Sequence, residues 1–146
     1  MPSMSLLDQV APFVGLIGGV IGILAYFRVA RYKLSDLKLQ SDRAESEARR
    51  TLENLEHLLR TMLPKIDYCF SKGFVSSTMR EGEIEKLASA EEDCEALRLE
   101  LQKASEIDSI HLSKIEGRLR MIYRIEASSK SLTEIWVRKE SEYRNN

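Results

Sequence analysis

No lysine or arginine occurs before residue 28, and Asp8 is the one acid in that stretch. A secretory leader carries its bases ahead of the apolar run, whereas here Arg28, Arg31, Lys33 and Lys38 come after it. That order argues that the segment is retained. Cysteine is scarce, and Cys69 and Cys94 fit neither a disulfide framework nor a zinc site in number or spacing. The two histidines, His57 and His111, do not stand at metal-ligand spacing from another His, Cys or acid. Three prolines and seven glycines, gathered mostly in the N-terminal segment and one connecting stretch, leave long runs with nothing to stop a helix. No phosphate-cradling glycine loop, nucleophile elbow or paired-carboxylate signature occurs, so no enzyme activity, cofactor or metal is expected. The formal net charge of −1 lacks the basic surplus that phosphate neutralisation needs, which excludes generic nucleic-acid binding.

What the N-terminus does hold is a run of 19 uncharged residues, 9–27. As a helix it would cover about 28 Å, close to the roughly 30 Å of a bilayer's hydrocarbon layer. The expectation is a single membrane span over 9–27, within an anchor region 1–33. Arg28, Arg31 and Lys33 are its topology flank, putting the N-terminus outside and the C-terminus in the cytoplasm, at the inner membrane. On a helix Ala11, Gly15, Gly18, Gly22 and Ala25 share one seam, and Gly15 with Gly19, like Gly18 with Gly22, has GxxxG spacing. Small residues in register let two helix backbones approach closely, which predicts self-association through this face.

Downstream, Ala48, Leu52, Leu55, Leu59, Met62, Ile66 and Cys69 alternate steps of four and three, the heptad seam of a coiled-coil-like helix. Residues 40–50 have only Ala44 and Ala48 as apolar members and read as a solvated stalk leading into it. Pro64 falls inside the seam and predicts a kink or a restart. Gly73 suits a helix end, and Thr78 with Glu81 has capping-box spacing for a new helix, so the chain reverses over 73–82. A second seam follows, made of Leu87, Ala90, Cys94, Leu97, Leu101 and Ala104. Its register slips at Asp108 and His111, which suggests a break near 107–110 and a shifted set of Ile107, Ile115, Leu119, Ile122 and Ile125. A weaker break at 128–131, with capping-box spacing from Ser131 to Glu134, sets off a short C-terminal helix over 128–146.

The expected organisation is therefore all-α: a single N-terminal transmembrane helix, then a cytoplasmic helical hairpin or small coiled-coil bundle. Residues 34–72 form the stalk and first helix, 73–82 the turn and 83–127 the second helix. Charge is segregated along it, with 11 bases against 7 acids over 28–80, 3 against 10 over 81–110, and 8 against 5 over 111–146. An acidic central helix should pack antiparallel against a basic neighbour, with charge choosing the pairing and leucine and isoleucine burial supplying stability. Trp136, between Ile135 and Val137 near a polar C-terminus, is the candidate partner contact, because tryptophan is enriched at binding hot spots. The basic run Arg118, Arg120, Tyr123 and Arg124 is a second candidate, facing acidic lipid head groups or the acidic helix of a neighbour.

The function these features predict is a membrane-tethered helical interaction or scaffold protein. Its expected partners are the lipid bilayer, further copies of itself as a homo-oligomer, and a protein partner of unknown identity. The order of a glycine-rich apolar N-terminal helix followed by amphipathic helices is similar in layout to HeLo-like and related cell-death bundles. That resemblance implies a membrane-perturbing effector whose first helix inserts to permeabilise a membrane; it carries no individual functional residue. A phage-lysis component would also combine one span with a coiled-coil body, but on the opposite side of the membrane from the one the charges indicate.

Overall fold

The computed structural model describes the backbone of residues 6–107 and 111–145, and the side chains of 18–107 and 111–145. Three helices account for most of them: α1 (Leu6–Ser71), α2 (Ser77–Ser105) and α3 (Leu112–Arg144). No strand occurs among the described residues, and the protein is all-helical. The chain divides into two units, Met1–Lys38 and Leu39–Asn146.

In the first unit, the expected membrane span does not stand. Among the described residues no helix is long and apolar enough to cross a membrane. Residues 9–17 of the proposed 9–27 span lie outside those whose side chains are described, Ala11 and Gly15 among them. The described remainder, 18–27, would cover about 15 Å of helix, half of a hydrocarbon layer of roughly 30 Å. The single-pass inner-membrane placement, with its outside N-terminus and cytoplasmic C-terminus, is corrected accordingly, and the topological role of Arg28, Arg31 and Lys33 goes with it.

In the second unit α1, α2 and α3 run up, down and up. Asp67 of α1 pairs with Arg80 of α2 at 2.7 Å, and Glu56 with Arg98 at 3.7 Å, so α1 and α2 are antiparallel. Glu100 of α2 meets Arg124 of α3 at 2.8 Å, and Glu83 meets Lys139, so α2 and α3 are antiparallel as well. Glu45 pairs with Arg118 and Lys65 with Glu140, which makes α1 and α3 parallel.

The α1 seam lies in the core between them: Leu52, Leu55, Leu59, Met62, Ile66 and Cys69 are all buried. It extends further towards the N-terminus than hydropathy suggests, because Ser41, Ala44 and Ala48 are buried too. Residues 41–48 are therefore not a solvated stalk. Small side chains at seam positions leave room for α3, whose Arg118 reaches Glu45 and Asp42 there.

Pro64 does not restart the helix, and α1 continues to Ser71. The missing proline donor costs one intrahelical bond, but Met62 and Ile66 on either side are fully buried and hold the turn in place. The end of α1 is a Schellman motif. Gly73 takes φ +77°, a left-handed conformation that a side chain disfavours. Phe74 N–H donates to the Cys69 carbonyl at 3.1 Å, and Gly73 N–H to that of Phe70 at 3.0 Å. The next helix begins earlier than the Thr78–Glu81 spacing suggests, since Ser76 is the N-cap and its hydroxyl accepts from Met79 N–H at 3.3 Å.

Of the register slip around 107–110, residues 108–110 lie outside the described residues. α3 then runs unbroken through 128–131, where a break was expected. The Ser129 hydroxyl donates to the Ile125 carbonyl at 2.7 Å and Thr133 to that of Ser129 at 2.7 Å, so both polar groups are satisfied inside the helix. The seam of α3 is Ile115, Arg118, Ile122, Ile125, Ser129 and Trp136, all buried and spaced by threes and fours except where half-buried Leu132 fills the interval. Two of its positions are polar: Arg118 takes the seam position that the shifted apolar set gives to half-buried Leu119, and Ser129 falls where the break is expected.

Candidate docking surfaces

Three arrangements of side chains stand out. The first is a charged bridge between α1 and α3. Arg118 is 7% exposed, a cost that only pairing offsets. Its guanidinium donates to Glu45 and lies 3.6 Å from Asp42, while Arg49 approaches Glu45 at 3.2 Å from the solvent side. The Arg118 Nε and the Ser41 hydroxyl are buried and find no partner among the described residues.

The second lies where α2 meets the end of α3. Burial pushes the Glu83 carboxyl up, but hydrogen bonds from Lys139 and Lys86, with their charges, more than offset it and hold the group below its usual range. Tyr143 stands beside it, its hydroxyl pushed up to about 12 by burial first and then by the Glu83 charge and hydrogen bond. Lys139 lies 4.7 Å from the centre of the Trp136 ring. The Trp136 indole is 3% exposed and part of the core, so it offers a partner almost no surface; its neighbours Ile135 and Val137 are half exposed.

The third is an open groove of about 520 Å³ between α1 and α2. Leu52, Leu59, Cys94 and Leu101 form its floor, and charged side chains of both helices form its walls. The Cys94 thiol is pushed up by burial and then by the Glu56 carboxylate, with Glu91 and Glu95 contributing against the relief that Arg98 gives. A thiol so placed stays protonated and is a poor nucleophile. Cys69 is likewise buried, its Sγ 3.6 Å from the Tyr143 carbonyl.

The remaining candidates are scattered. Gly18, Gly19, Gly22 and Ala25 are exposed, and a Cβ added at any of the three glycines would meet nothing within 4 Å. Arg28, Arg31 and Lys33 are exposed, as are His57 and His111, the latter serving as the backbone N-cap of α3. Leu87, Leu101 and the α1 seam from Leu52 to Ile66 share one core with half-buried Leu97. Of the basic run on α3, Arg118 turns inward while Arg124 pairs with Glu100. Among the described residues no set of three His, Cys, Asp or Glu side chains is grouped to hold a metal ion.

Comparison of the chain with protein-family models, curated proteins and solved structures finds no match. The groove has no counterpart in the sequence, and of the bridge only Arg118 stands out there, as part of a basic run, without its partner Glu45. Their signal was present only as charge at positions flanking the seams, where charge is ordinarily just a solvated face.

Proposed function

We propose that the chain is a non-catalytic helical scaffold that associates with copies of itself and docks a protein partner. The observation that carries this reading is in the first unit. From Val20 to Tyr32, eight large apolar side chains, Val20, Ile21, Ile23, Leu24, Tyr26, Phe27, Val29 and Tyr32, are each at least half exposed. They point to every side of the helix. A helix apolar all round is one that something else covers, and exposed patches of this kind mark interaction sites. The open glycine face at 18, 19 and 22 supports a second copy as that cover, since it admits a neighbouring backbone at short range.

The test is sedimentation velocity on the full chain and on a variant carrying Ile21→Glu, Leu24→Glu and Phe27→Glu. The full chain is expected to sediment as an oligomer and the variant as a monomer with unchanged helicity. A full chain that is monomeric alone but floats with phosphatidylcholine vesicles refutes self-association and gives the segment to lipid. Dye release from the same vesicles on addition of the full chain refutes the scaffold reading in favour of a membrane-perturbing effector.

A further inference from the structure

The acidic surplus of α2 is spent unevenly. Towards α3 its carboxylates Glu83 and Glu100 meet Lys139 and Arg124, but towards α1 it contributes bases, Arg80 and Arg98, to the acids Asp67 and Glu56. Along the α1–α2 groove every base is already engaged: Arg49 by Glu45, Arg60 by Glu56 at 2.6 Å, and Arg98 by Glu56. Glu53 of α1 and Glu91 and Glu95 of α2, exposed on the groove walls, form no ion pair with any described residue. Arg60 and Arg98 share the one Glu56 carboxylate, so the acids of the groove, Glu45 included, outnumber its arginines by two around a floor of leucine and the Cys94 thiol.

We infer that this groove docks a basic amphipathic helix, with its apolar stripe on the Leu52, Leu59 and Leu101 floor and its lysines or arginines against Glu53, Glu91 and Glu95. The lining runs over 49–60 of α1 and 91–105 of α2. At 1.5 Å per residue those stretches are about 17–21 Å long, which matches three to four turns of a helix lying along them. The volume is that of a site taking a few large side chains, and laying an apolar stripe into such a groove is a recurrent recognition mode. Unpaired acids on both walls select the sign of the partner's charge and speed its encounter. The inference deepens the docking half of the function proposed above and uses none of the residues on which self-association rests.

The probe is a synthetic, fluorescein-labelled, amidated peptide of about 14 leucine and lysine residues with leucines at helical spacing, roughly four turns. Its fluorescence anisotropy is titrated with the full chain. Binding that weakens with salt is expected, together with shifts of the Leu52, Leu59 and Leu101 methyl resonances. The variant Glu53→Gln, Glu91→Gln, Glu95→Gln should bind about tenfold more weakly or worse, whereas Glu81→Gln, Glu85→Gln, Glu92→Gln, which removes the same charge away from the groove, should bind like the parent. All six positions are exposed, so both variants should fold, which circular dichroism checks. Absence of binding, or binding equal in the two variants, overturns the inference. So does a groove variant that loses self-association while the parent ignores the peptide, since the occupant is then a second copy. The oligomer mass of the parent reads the scaffold proposal separately, because its apolar segment is intact throughout.

Discussion

Replacing Arg118 tests whether the α1–α3 bridge behaves as a coupled, buried ion pair. The side chain is 9% exposed and its partner Glu45 17%, so both charges have given up most of their water. Breaking a buried pair by removing one member costs about 3–5 kcal/mol, because the survivor keeps its desolvation penalty without its partner. Here Glu45 retains Arg49 at 3.2 Å, although that arginine is 59% exposed and holds it only weakly. Arg118→Met, which keeps most of the volume, should therefore fall at the lower end, about 3 kcal/mol. For a domain of this size that corresponds to a fall in Tm of roughly 12–24 °C. Adding Glu45→Leu removes the orphaned carboxylate, and the double variant should recover most of the loss or exceed the parent, as apolar replacement of a buried ion pair often does. The assay is urea unfolding followed by circular dichroism at fixed protein concentration, closed as a double-mutant cycle. A coupling energy below about 0.5 kcal/mol would mean that the two side chains behave as independent surface charges, and the reasoning would be refuted.

Leu55 is fully buried at the middle of the α1 seam, and Leu55→Ala should destabilise the fold by about 2–5 kcal/mol in the same urea assay. Gly73→Ala places a Cβ in open space but at φ +77°, so backbone strain alone should cost about 1 kcal/mol, measurable as a shift in urea midpoint without a change in slope. Stability should fall at both ends of the pH scale. The folded Glu83 carboxyl is held below its unfolded value, so its contribution is present above about pH 4.5 and lost as pH drops through the folded value. Tyr143 is raised, so its contribution is complete below about pH 10 and lost as pH rises towards 12. Tyr143→Phe should flatten the alkaline limb of the unfolding profile. Cys94 should alkylate with iodoacetamide much more slowly than a free thiol at pH 8, with equal rates restored in urea, because its thiol is buried and raised.

Some of the architecture was legible without a structure. The strict three-four spacing from Leu52 to Cys69, and again from Leu87 to Ala104, could bury its leucines only as helices, and Gly73 alone offered the left-handed φ that ends α1. The third helix was misread at two places for one reason. Arg118 and Ser129 occupy seam positions, and a pattern of apolar residues breaks wherever the core accepts a polar group. The stalk reading of 40–50 failed for the complementary reason, that serine and alanine at a seam look like solvent-facing residues. The span reading rested on length and flanking charge over 9–27, of which only 18–27 lie within the described side chains.

The amino-acid order by itself determined that the body is helical and where its leucine stripes run, because helix periodicity and turn chemistry are local properties of the chain. Only the tertiary structure decided which polar side chains belong inside and which carboxylates stay unmatched. Arg118 is tolerable in the core because Glu45, 73 positions away, is there to receive it, and Glu53, Glu91 and Glu95 form no ion pair because the arginines lining the same groove are paired with Glu45 and Glu56. Charge compensation depends on distances across the bundle, and those distances are set by packing, not by sequence neighbours.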